Sequence, residues 1–142
     1  MELLIVMGVL AVLIGSLITI LDPVTQLKRG RDGTRKSDLS QIQSALELFR
    51  ADHGCYPHGT CLALAAFPSC GNNFSAGGVT YMSRIPCDPI NAGQHKYTYD
   101  STGTTYNIYS CLENINDLLK DNPNNPIYCN GTTNWSYTVR NP

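Results

Sequence analysis

The chain has 142 residues, of which 42% are hydrophobic and 15% charged, with ten Lys and Arg against eleven Asp and Glu. That is one domain's worth of sequence. Its near-neutral charge lacks the basic footprint of a dedicated nucleic-acid binder, and its composition is not that of a solvated, disordered chain.

The average conceals a split. Sixteen of the first 21 residues are hydrophobic, and no side chain from Leu3 to Leu21 is charged. As a helix this run would be about 28 Å long, close to the thickness of a bilayer's hydrocarbon core. Glu2 stands at its mouth. A carboxylate there is costly unless it is solvated among headgroups or meets a cation, for instance from a neighbouring subunit. Gly8, Gly15 and Ser16 are small enough to let another helix approach closely.

Asp22-Pro23 predicts a break or kink, because proline has no N–H and disfavours helix in the residue before it. Gly30 and Gly33 add local softness. The helical pattern then resumes, with Leu39, Ile42, Leu46 and Phe49 beside Ala45 on one stripe. Asp32 and Lys36 are spaced to pair, and Gly54 after His53 is a stop signal. The expectation is one long helix over about residues 2–53, oily through 1–21 and amphipathic through 22–54.

Residues 55–142 form the remaining unit, lean in apolar side chains. A long loop is expected over 55–95, with one short helical turn at 62–67. Strands are expected at 95–100, 104–112 and 136–139, with a polar loop over 113–126. The six cysteines, Cys55, Cys61, Cys70, Cys87, Cys111 and Cys129, suggest staples in an oxidising compartment and allow 15 pairings. Sequential pairing is preferred, since each bridge then closes a local loop.

The N-terminal stretch resembles the type IV pilins and type II secretion pseudopilins. The resemblance is carried by Glu-Leu-Leu-Ile-Val at 2–6, the apolar helix behind it, Asp22-Pro23, the run from Arg31 to Phe49, and Ala51-Asp52-His53-Gly54-Cys55-Tyr56-Pro57. It implies an α+β fold, with the long helix packed on a small antiparallel sheet and disulfide-stapled loops. A C-terminal disulfide loop in many pilins is similar to a Cys111–Cys129 link. The resemblance also implies a basic leader removed by a prepilin peptidase. Here Met1 alone precedes Glu2, so either the start or the processing is expected to differ. A removed basic leader would place the cysteine-rich unit outside the cell, despite the cations Lys28, Arg29, Arg31, Arg35 and Lys36 after the apolar run. Those cations are read as meeting headgroups or neighbouring subunits, ahead of nucleic acid.

Met1, Glu2, Pro23, Gly30 and Gly33 are the expected assembly residues. Asn73, Asn130 and Asn134 fit the Asn-x-Ser/Thr acceptor pattern. His53, Cys55, His58 and Cys61 cluster as nitrogen and sulfur ligands, but not at the spacing of a common zinc finger. Secretion-type pseudopilins often hold calcium in the C-terminal loop, and Asp117, Asp121 and Asn124 are the oxygen ligands in the matching region. A solvated loop is preferred, with no resident metal or cofactor. No nucleophile motif points to catalysis.

The expected function is a structural subunit, the major pilin of a type IV pilus-like filament for adhesion, motility or DNA uptake. It would sit in the cell membrane first and in an extracellular homopolymer afterwards, served by inner-membrane assembly machinery. The alternatives are the major pseudopilin of a type II secretion system and a membrane-anchored binding module.

Overall fold

The fold is described by a computed structural model covering residues 2–142, with only the backbone described for 17–21. The N-terminal third is two helices, α1 (Glu2–Leu21) and α2 (Pro23–His53). They meet at Asp22, whose backbone is left-handed at φ 37°. Its carboxylate accepts bonds from the Thr25 amide (3.4 Å) and hydroxyl (2.6 Å), and Pro23 begins the new helix where no N–H is needed. The joint is therefore a capped restart rather than a simple kink. Gly54, at φ 73°, ends α2 by donating its N–H to the Arg50 carbonyl at 2.7 Å. Gly30 and Gly33 lie within regular helix.

Five strands follow: β1 (Phe74–Ala76), β2 (Val79–Met82), β3 (Thr98–Ser101), β4 (Tyr106–Leu112) and β5 (Trp135–Arg140). β1 and β2 form a separate hairpin, and β3-β4-β5 form an antiparallel sheet with β4 in the centre. The stripe Leu39, Ile42, Ala45, Leu46 and Phe49 is buried against Tyr56, Phe74, Ile85, Tyr106, Ile108 and Val139. One helix face thus packs on both the sheet and the hairpin, in an α+β, pilin-like arrangement.

The sequence expectations need four adjustments. The hairpin falls inside the expected 55–95 loop. Its two-residue turn, Gly77-Gly78, has both residues at positive φ, a conformation that suits a tight hairpin. No helical turn forms at 62–67, where Leu64 and Phe67 instead pack singly on the core. β3 starts at Thr98 because His95 and Lys96 fold back onto Ala92 and Gln94. β4 starts at Tyr106 because Thr102 to Thr105 form a hydroxyl-rich turn.

The disulfides join Cys55 to Cys61, Cys70 to Cys87, and Cys111 to Cys129. The first secures the turn leaving α2, the second fastens the chain on either side of the hairpin, and the third closes the loop between β4 and β5.

Candidate functional site: an exposed apolar helix on a charged anchor

Residues 2–16 of α1 are all exposed in the monomer. Its large aliphatic side chains from Leu3 to Ile14 are between 46% (Leu10) and 77% (Leu3) exposed. A helix that is hydrophobic all round belongs in the core of something larger or in a membrane. Added methyl groups at Gly8 and Gly15 would touch nothing, so a second helix has room to approach. Glu2 lies exposed in the first turn. Met1 lies outside the described residues. Among the described residues, no helix is long and apolar enough to cross a membrane. Below the joint the apolar surface continues through Val24 and Leu27, both more than half exposed, beside a shallow groove lined by Pro23, Gln26, Gly30 and Thr34.

The buried stripe of α2 does not stop at Leu39. Stepping back by four and three residues reaches Arg35 and Asp32, both on the buried face. Arg35 is fully buried. It donates in fork fashion to Asp88 at 2.7 and 3.0 Å, to Asp32 at 2.7 Å and to Glu113 at 2.8 Å. Arg31 donates twice to the same Glu113, at 2.6 and 2.7 Å. Asp32 in turn accepts the backbone amides of Glu113 and Asn114. Lys36 reaches Asp117 at 2.6 and 2.7 Å. This network fastens the upper end of α2 to the segment around Asp88 and to the start of the β4–β5 loop.

The cation cluster was expected to face headgroups or neighbours, but three of its five members are spent within the subunit. The expected Asp32–Lys36 pair does not form either. Arg35, one residue nearer, takes Asp32, because Asp32 points inward and Lys36 toward Asp117. Lys28 and Arg29 make no ion pair among the described residues.

The network also sets protonation. The bonds from Arg31, aided by Arg35 and opposed by burial, hold the Glu113 carboxyl down to about 2. Burial pushes the Asp88 carboxyl up, yet Arg35 and the Ile90 and Asn91 amides outweigh it, so it lies below the usual range. Groups whose folded value is depressed stabilise the fold above their unfolded value, and that stabilisation disappears as pH falls toward the folded value. The thermal midpoint is therefore expected to be level above about pH 5 and to fall between about pH 4.5 and 2. The drop should be shallower in Glu113→Gln. Melting curves across that range check it, and a midpoint unchanged down to pH 2 would contradict it.

The remaining sequence candidates are placed as follows. Asn73 and Asn130 are exposed. Asn134 is buried, accepting the Asn130 amide at 2.8 Å and donating to Gln94 at 3.1 Å. Cys55 and Cys61 are bonded to each other, so neither offers a thiolate to zinc, and His53 packs against Phe49 with tilted rings and its Nε2 2.9 Å from the Tyr81 hydroxyl. The calcium candidates are each bonded to other groups. Asp117 is occupied by Lys36, Asp121 accepts the Thr138 amide and hydroxyl, and Asn124 is bonded to Ser136 and Cys129. Among the described residues, no group of three His, Cys, Asp or Glu side chains is placed to hold a metal ion.

A long helix in two parts, packed by its lower half on a small sheet and bare along its upper half, defines a pilin-like subunit. A family model described as "Type II secretion system (T2SS), protein G" matches residues 23–116, and the chain belongs to this pseudopilin family. The matched stretch contains α2 and the whole Arg31, Arg35, Asp88 and Glu113 anchor. α1 and Asp117 lie outside it. No curated protein and no solved structure matches the chain significantly. Membership implies a structural subunit of a pseudopilus, assembled with the secretion machinery and associated with the membrane.

Proposed function

We propose that this chain is the repeating subunit of a secretion pseudopilus, with α1 held in the cell membrane before assembly and packed among copies of itself afterwards. The observation that carries the proposal is the ring of exposed aliphatic side chains on α1, which a lone subunit leaves in water. Burying such surface is favourable by about 25 cal/mol per Å², so copies packed side by side gain strongly. The uncharged run from Leu3 to Leu21 supports a membrane-held stage. Glu2 pairs with the terminal amine of an adjacent copy and so fixes the axial register. Pro23, Gly30 and Gly33 let the joint region adjust during packing. A prepilin peptidase and inner-membrane assembly proteins act on the chain. Asn73 and Asn130 are the two acceptors open to glycosylation. The role is structural rather than catalytic.

The second reading is a major pilin of a surface fibre. Three disulfides on a lean domain favour it, since they suit long exposure outside the cell. Electron microscopy of cells producing the protein separates the two. Short filaments confined to the envelope, with loss of protein secretion on deletion, are expected for a pseudopilus. Long surface fibres with secretion intact would favour the pilus.

A further inference from the structure

The β4–β5 loop, where relatives of this kind were expected to carry calcium, holds its shape here through bonds that leave no cation site. Both oxygens of Asp117 lie 2.6 and 2.7 Å from the Lys36 ammonium, and one of them also caps the Leu119 amide at 2.9 Å. Asp121 is turned away to β5, with its two oxygens on the Thr138 amide and hydroxyl. Asn124 spends its oxygen on the Ser136 amide and its nitrogen on the Cys129 carbonyl. Lys120 donates to the Ile115 carbonyl, and its ammonium lies 4.2 Å from the centre of the Trp135 ring. Calcium needs six to eight oxygens converging on one point. The three candidate side chains have turned their oxygens to other donors, and Asp117 holds an ammonium group where a cation would sit.

We infer that Lys36 is the resident cation of this loop: its ammonium, supplied by α2, binds Asp117 in place of a divalent ion, and the subunit folds and holds the loop without calcium. The family membership does not settle this, because the matched stretch ends at residue 116, one short of Asp117. The pairing is half-buried, with side-chain exposures of 23% for Lys36 and 16% for Asp117, so it is shielded from salt more than a surface pair. It also adds a third strap from α2 to the loop, beside those of Arg31 and Arg35. The straps present Leu118 and Leu119 outward on a fixed turn.

The test uses the full chain in detergent. Its melting temperature is expected to stay within about 1 °C between excess EGTA and millimolar calcium chloride, with no saturable heat on calorimetric titration of calcium. A loop that binds calcium would instead gain on the order of 10 °C once the ion is a hundredfold above its Kd. Saturable one-to-one binding with such a shift overturns the inference. In Lys36→Met, amide exchange over residues 114–120 is expected to rise about tenfold relative to the parent, with or without calcium, while Lys36→Arg stays near the parent. Unchanged exchange in Lys36→Met, or its restoration by calcium, equally overturns it. If Lys36→Met does not fold, the parent protein's response to calcium decides alone.

Discussion

Arg35→Ala is expected to cost about 3–5 kcal/mol of folding stability. The reason is what remains behind. Asp88 and Asp32 are buried, Glu113 nearly so, and all three direct carboxylate oxygens at the vacated guanidinium. Arg31 still neutralises Glu113, but among the described residues Asp88 otherwise accepts only the Ile90 and Asn91 amides. With a typical domain only 5–15 kcal/mol stable, such a change brings the protein near the edge of unfolding. Arg35→Lys should fall between the two, since it keeps the charge but loses the fork that engages both Asp88 oxygens. Denaturant titration with tryptophan fluorescence reads the difference. A loss below about 1 kcal/mol in Arg35→Ala would show that the anchor does not hold the helix.

Glu2→Ala is expected to leave folding and membrane association intact while abolishing or stunting filaments. Glu2 touches no part of the globular unit, and α1 keeps its whole aliphatic surface in the variant. What disappears is the one charged side chain of α1. In an apolar bundle a carboxylate must meet a cation, and in the proposed assembly that cation is the terminal amine of a neighbouring copy. Without that pair, copies can slide along one another's aliphatic faces with no preferred register. Glu2→Gln, similar in shape but uncharged, should fail in the same way. Filaments of normal length and number in either variant, seen by electron microscopy against equal protein levels, would remove the role assigned to Glu2.

The lower half of α2 is the most legible part of the sequence, because Leu39, Ile42, Ala45, Leu46 and Phe49 recur at helical spacing and all five are buried. The same spacing carried back through Arg35 to Asp32 would have exposed the anchor, but a charged side chain on an apolar stripe reads as surface until its partners are known. Those partners, Asp88 and Glu113, are 53 and 78 residues away from Arg35, and nothing local marks them. The β1–β2 hairpin was legible in part. Gly77-Gly78 is a two-residue turn signal, yet strands of three and four residues are too short to show alternation. The joint at Asp22 was visible as a proline break, whereas its recapping by Thr25 depends on a left-handed aspartate that composition does not announce. The fate of Asp117 could not be read at all, since its partner lies on α2.

The central claim is that the exposed surface of α1 is the interior of a filament. The most direct test is a helical reconstruction of the assembled filament at a resolution that separates helices. The account predicts α1 helices packed side by side along the axis, with Leu3 to Ile14 facing their counterparts and the disulfide-bearing units forming the outer surface. A filament whose core is built from the sheet domains, with α1 outside or still in the membrane, would contradict it.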